Sequence, residues 1–278
     1  MFSRFRDQNI LLSNADMTSL PLYARKYEES DQSRTPIVLL HGFLGSSTNW
    51  HSVARKLSDR HHVLAPDLRN HGQSPHAKAM TYAAMADDLA ALLNEHALDE
   101  VILVGHSMGG KLAMEYALRH PDRVEKLVVV DIAPVRYRHG FDDVFKALRA
   151  VDLEGIENRR DADAMMQAHL DTEGLRQFLL QNLVKQDAGW AWRIDLDILA
   201  SAVPDIQAAP PSLDGGRFEG PSLFVNGALS DYVSEAFKPV IRRHFPQATL
   251  EAIAGAGHWV YAEQPARFLD TLQGFLEK

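Results

Sequence analysis

Gly105-His106-Ser107-Met108-Gly109 lies between an apolar run, Val101-Ile102-Leu103-Val104, and a helix-like stretch from Lys111 to His120 that Pro121 stops. A strand, a sharp turn and a helix with a serine at the tip form the arrangement that lifts a hydroxyl clear of its own backbone, the flanking glycines sparing Cβ clashes. The chemistry is nucleophilic attack on an acyl carbon. A serine hydroxyl is a weak nucleophile near neutral pH, so it needs a base. Of 13 histidines, His258 in Gly255-Ala256-Gly257-His258-Trp259 is the expected base. It follows the last expected strand and precedes the final helix, and the order nucleophile, acid, histidine agrees. His61, His62, His96, His120 and His244 fall at loop or helix ends. His71 and His76 flank a Gly-Gln-Ser-Pro turn without metal-ligand spacing, and His106 is expected to pack or bond locally.

Two acids compete to orient that histidine. Asp131 ends Val128-Val129-Val130, where a buried carboxylate is costly unless paired. Asp231 follows the next strand in Asn226-Gly227-Ala228-Leu229-Ser230-Asp231, one residue later than a Gly-x-x-Asp pattern requires. Asp131 is the expected acid and Asp231 the reserve. Acyl transfer also needs donors for the developing oxyanion. The backbone N–H of Met108, at the start of the helix, and that of Phe43, in His41-Gly42-Phe43-Leu44-Gly45, are the expected pair. Phe141, Phe145, Phe178, Trp190, Trp192 and Trp259 are candidates for a substrate pocket.

The elements that must hold these residues are short apolar runs separated by helical patterns. Strands are expected at Leu20 to Tyr27 (an edge), Pro36 to Leu40, His62 to Asp67, Val101 to Val104, Val124 to Asp131, Pro221 to Asn226 and Leu250 to Ile253. Continuous apolar strands alternating with helices imply a mostly parallel sheet covered on both faces. Tyr82, Met85, Leu89, Leu92 and Leu93 share a helix face behind a Thr81 N-cap, and Pro265 to Leu276 is the closing helix. The rhythm breaks after Pro134. Phe141 to Val151, Asp161 to Leu170 and Gly174 to Val184 read as helices without intervening strands, followed by a Trp190-x-Trp192 segment. The division expected is therefore a core of residues 1–134 and 216–278 with an inserted helical cap of 135–215.

Composition sets outer bounds. The chain has 278 residues, 46% hydrophobic and 24% charged, with a formal charge of −8 and no cysteine. That is the profile of a globular protein, with no basic face for nucleic acid or anionic membranes and no thiol chemistry. Met1 to Asp7 lacks the apolar segment of a signal peptide, and no apolar run reaches the roughly 18 residues of a membrane span. A cytoplasmic enzyme without cofactor or metal is expected.

These motifs together resemble the α/β-hydrolase fold across nearly the whole chain. Asp67-Leu68-Arg69-Asn70-His71-Gly72-Gln73-Ser74, Asp131-Ile132-Ala133-Pro134, Phe178-Leu179-Leu180-Gln181-Asn182-Leu183 and Ile253 to Trp259 are similar to the YbfF-type bacterial esterases. The resemblance implies a monomeric or homodimeric carboxylesterase that also accepts acyl-CoA thioesters. It further implies an acid at Asp131, with Ser230 where Gly-x-x-Asp usually ends. The expected activity is hydrolysis of small to medium acyl esters or thioesters through an acyl-serine. The alternatives are an acyltransferase, C–C hydrolase or perhydrolase on the same fold, or a non-enzymatic small-molecule sensor.

Overall fold

A computed structural model describes residues 19–27, 34–138 and 140–278; the reading of Met1 to Asp7 falls outside them. In chain order come Ala24–Tyr27 (β1), Ile37–Leu40 (β2), His51–Leu57 (α1), Val63–Pro66 (β3), Tyr82–Glu95 (α2), Val101–His106 (β4), Met108–Arg119 (α3) and Val124–Val130 (β5). Then follow Asp142–Arg149 (α4), Arg159–Gln167 (α5), Glu173–Leu179 (α6), Leu183–Gln186 (β6), Gly189–Trp192 (β7) and Leu196–Gln207 (α7). Ser222–Gly227 (β8), Lys238–His244 (α8), Ala248–Ile253 (β9), Val260–Glu263 (α9) and Pro265–Leu276 (α10) complete the chain.

Seven strands form one sheet in the order β1-β3-β2-β4-β5-β8-β9. All neighbours are parallel except β1, which pairs antiparallel with β3 at one edge. Side chains alternate between two apolar layers. Val38, Leu40, Leu103, Leu127 and Val129 face the layer that holds α2, α3 and α8. Ile37, Leu39, Ile102, Val104, Val128 and Val130 face α1 and α10. Because both faces are covered, the strands are uniformly apolar in sequence rather than alternating. Thr81 caps α2, its side chain accepting from the Ala84 N–H at 3.2 Å. Among the described residues, no helix is long and apolar enough to cross a membrane.

The chain leaves the sheet after β5 and rejoins it at β8. The intervening stretch departs from the all-helical expectation. α6 ends at Leu179, and after one tight turn the chain enters an antiparallel hairpin, β6–β7, that pairs Leu183 with Trp192 and Lys185 with Trp190. Alternating Leu183-Val184-Lys185-Gln186 and the Gly189 turn favour a ribbon over a continued helix. The Trp190-x-Trp192 segment is thus a strand. α7 has no counterpart in the sequence reading, since Pro204 interrupts its pattern. Asp195 starts it by accepting from the Asp197 and Ile198 N–H groups.

Candidate active site

Ser107 sits between β4 and α3 with φ 52° and ψ −115°, a conformation that non-glycine residues adopt only when the surroundings impose it. The surroundings are close backbones. A Cβ on Gly105 would lie 2.2 Å from the Gly109 carbonyl oxygen, and one on Gly109 would lie 2.3 Å from that of Leu40. The two glycines let helix and strands approach closely enough to force the turn. Ser107 N–H donates to the Val130 carbonyl at 3.0 Å, fixing the turn to β5. Met108 opens α3, where N–H groups lack intrahelical acceptors.

Asp131 follows β5 with φ 51° and is fully buried. Its carboxylate is well satisfied. Oδ1 accepts from the Gly227 N–H at 3.0 Å, and Oδ2 accepts from the Ser230 hydroxyl at 2.6 Å and lies 2.7 Å from His258 Nδ1. This pairing explains how an acid ends a run of buried valines. An Nδ1–H directed at the carboxylate leaves the lone pair on Nε2. Asp231 is exposed. The shift that puts a serine at 230 lets that hydroxyl serve the carboxylate of the preceding strand, while the next residue points to solvent.

His258 is held on three sides. His106 Nε2–H donates to the His258 carbonyl at 2.9 Å, with the rings 4.6 Å apart. Burial lowers the His106 pKa well below the usual value, and the nearby His258 adds to this, so it acts as a neutral prop. Tyr232 stacks on the His258 ring at 4.2 Å and 24°. The Tyr137 hydroxyl donates to the Tyr232 carbonyl at 2.5 Å. Burial raises the Tyr232 phenol to about 12, with Asp131 and Asp231 adding to the shift; it stays neutral beside the imidazole.

The loop after β2 is fastened as firmly. Leu44 has φ 62°. Its N–H donates to His71 Nε2 at 3.0 Å, and its carbonyl accepts from Asn182 Nδ2, on the turn after α6, at 2.8 Å. His71 Nδ1–H donates to the Arg69 carbonyl. Burial, aided by the neighbouring His41, holds the His71 pKa down at about 3, so Nε2 stays an acceptor. His41 repeats the pattern, bonding the Gly42 carbonyl and accepting the Leu68 N–H. The Asp67 to Ser74 motif is therefore a brace for this loop. Asp67 accepts from the Ser47 and Gln73 N–H groups, and Arg69 pairs with buried Asp88 at 2.6 Å.

Ser107 and His258 both line an apolar cleft of about 320 Å³. Phe141, Phe178 and Trp259 line it too, as does Phe43. A smaller chamber of about 30 Å³ also reaches Ser107; it shares Phe43, Phe141 and Tyr232 with the cleft and is otherwise walled by Tyr82, Met108, Lys111, Tyr137 and Ile206. Phe145 lies behind Phe43, edge-on at 6.4 Å, in the core. Trp190 and Trp192 sit on β7. Trp190 lies against Arg159 and Lys185, and both pack on the apolar layer rather than at the cleft wall. Sequence reasoning weighed His71 only against a metal site, quoted Asn182 only as part of a motif, and did not single out Tyr232 or Lys111. A tyrosine next to Asp231 and a lysine among small residues on α3 carry no motif of their own. Among the described residues no cluster of three His, Asp or Glu suits a metal.

Comparison with known proteins agrees with this architecture. A family model described as alpha/beta hydrolase fold matches residues 35–265. The chain is 41% identical to mouse sn-1-specific diacylglycerol lipase ABHD11, covering 95% of this chain and 87% of the relative. It is 39% identical to esterase YbfF of Escherichia coli (strain K12), over 89% of this chain and 95% of that protein. A solved marine microorganism esterase superposes with a TM-score of 0.88 at 38% identity, covering 92% of this chain and all of the other. The chain belongs to the α/β-hydrolase family, as a YbfF-like hydrolase.

Proposed function

We propose that this hydrolase is a serine carboxylesterase acting on small to medium acyl esters, acyl-CoA thioesters included, through an acyl-serine. The observation that carries the reading is the 2.7 Å Asp131–His258 pair opening onto the same cleft as the strained Ser107. His258 Nε2 takes the hydroxyl proton as Ser107 Oγ bonds to the acyl carbon. The N–H groups of Met108 and Phe43 hold the oxyanion. The imidazolium, stabilised by Asp131, then gives its proton to the leaving oxygen or sulfur as that bond breaks. Water, deprotonated by the same nitrogen, attacks the acyl-serine and releases the acid. Residues 135–215 act as a cap over the core formed by 1–134 and 216–278, contributing Phe141 and Phe178 to the cleft.

The two chambers support an assignment of the substrate's limbs. The leaving group must approach His258, and the cleft is the chamber that His258 lines. The alcohol or thiol limb therefore lies in the cleft and the acyl limb in the small chamber at Ser107. A water-sized group needs roughly 10–15 Å³ of such space, so a short acyl chain fits best.

Steady-state release of p-nitrophenol from p-nitrophenyl acetate and of free thiol from acetyl-CoA tests the reading. Repeated turnover in water is expected, with Ser107→Ala lowering kcat by at least about a thousandfold. A single turnover that leaves the acyl group on the protein would contradict it, as would products formed only when an alcohol or peroxide accepts the acyl group.

A further inference from the structure

Lys111 lies one helical turn beyond Ser107 on α3, yet only 1% of it is exposed. A buried ammonium is expensive unless each proton finds an acceptor. Here the acceptors are backbone carbonyls at the end of α7. Nζ donates to Ala208 at 2.6 Å, to Gln207 at 3.0 Å and to Ile206 at 3.4 Å. These are the orphan carbonyls of a helix C-terminus, where positive charge is favoured. The face of Tyr137 lies 4.8 Å from Nζ. Other bonds fasten the same short segment. Tyr82 donates its hydroxyl to the Ile206 carbonyl, the Tyr137 N–H donates to that of Gln207, and buried Glu115 accepts from the Ser212 N–H and hydroxyl. Lys111 and Glu115, four residues apart on the nucleophile's own helix, thus hold the chain where it returns from the stretch above the sheet. Ile206 and Gln207 are also the end wall of the small chamber beside Ser107.

We propose that Lys111 is a positioning residue that sets acyl-chain selectivity: by clamping the carboxyl end of α7 to the helix that carries Ser107, it closes the far wall of the acyl chamber. The inference rests on the esterase reading above and on the acyl limb entering that chamber.

The test compares kcat/KM for p-nitrophenyl acetate and octanoate in the wild type, Lys111→Met, Lys111→Gln and Ile206→Ala, each normalised to sites titrated by a fluorophosphonate. Normalisation removes any loss of folded protein, so a merely structural role leaves the acetate-to-octanoate ratio unchanged. Lys111→Met is expected to lower that ratio about tenfold, chiefly through a lower KM for octanoate, since a few methylenes in an apolar pocket carry effects of this size. Lys111→Gln, which keeps an N–H donor, falls between it and the wild type. Ile206→Ala trims the wall without touching the clamp and shifts the ratio in the same direction; it decides the matter if Lys111→Met does not fold. A ratio that stays within about twofold of wild type in titratable Lys111→Met overturns the proposal, as does an unchanged ratio in Ile206→Ala when Lys111→Met cannot be titrated. A wild-type protein that the fluorophosphonate leaves unlabelled overturns instead the reading of Ser107 beneath it.

Discussion

Asp131 and Asp231 are separated in the sequence by α4 to α7, the β6–β7 hairpin and β8, and chemically they are the same group. Their surroundings distinguish them. Asp131 is buried and accepts from Gly227 and Ser230 while facing His258, whereas Asp231 meets water. Replacing Asp131 by Asn is expected to lower kcat by about a thousandfold or more, through the wrong imidazole tautomer, while Asp231→Asn stays within about twofold of wild type. Stopped-flow or steady-state ester hydrolysis by the two variants checks this, and the reverse ranking would transfer the role to Asp231. At the same scale, Lys111 gives a pH dependence of stability. Burial pushes its ammonium down from 10.5 to about 7, and Arg136 adds to the shift. The groups around Nζ are Tyr82 from α2, Tyr137 and Arg136 from the segment after β5, and the carbonyls of α7; the carbonyls and the two ring faces favour the charge, and Arg136 opposes it. Between those two pKa values the unfolded chain holds more protons at this site than the folded one. The contribution of Lys111 to stability therefore rises with pH across the window, by up to ~1 kcal/mol per unit. Urea unfolding should show the wild type gaining on Lys111→Met between about pH 7 and about pH 9.5; a constant or shrinking gap would contradict the assignment.

At the scale of elements, the loop after β2 depends on parts that the sequence separates widely. His71 holds the Leu44 N–H from one side and Asn182 holds its carbonyl from the other. Asn182→Leu removes a buried donor and leaves the Leu44 carbonyl unpaired, at a cost of about 1–3 kcal/mol. The loop then carries Phe43 N–H less precisely. A drop in kcat of about tenfold with KM changing less is expected, because oxyanion contacts act in the transition state. A change confined to KM would show that Asn182 serves binding alone. The strands, the elbow and α10 are legible in the sequence because each repeats a local pattern: apolar runs, a glycine-flanked turn, an apolar stripe. The stretch between β5 and β8 is less so. β6 and β7 are half-exposed ribbons too short for a firm period, and Pro204 masks α7. Tyr232, His71, Asn182 and Lys111 matter through neighbours 26 to 138 residues away in the chain, a relation that no local pattern records.

For the whole molecule, a sheet buried on both faces leaves few places for charge, and the exceptions tie layers together. Arg69 and Asp88 are the clearest, almost fully buried, the carboxylate also accepting from the Leu20 N–H. Burial raises the Asp88 pKa, against the pull of Arg69. Asp88→Ala strands a buried guanidinium and is expected to destabilise the fold by about 3–5 kcal/mol. Thermal unfolding of the variant measures this; a melting temperature unchanged from wild type would show that Arg69 is satisfied without its partner. With Asp67, His41 and His71, this pair shows how the molecule supports one small region, the loop and elbow that face the cleft.

The most direct measurement is intact-protein and peptide mass spectrometry after treatment with a fluorophosphonate. A single adduct per chain is expected, located on Ser107, slowed strongly in His258→Ala and lost in Ser107→Ala. A native protein that takes up no adduct, or a Ser107→Ala variant that is labelled at the wild-type rate, would contradict the account.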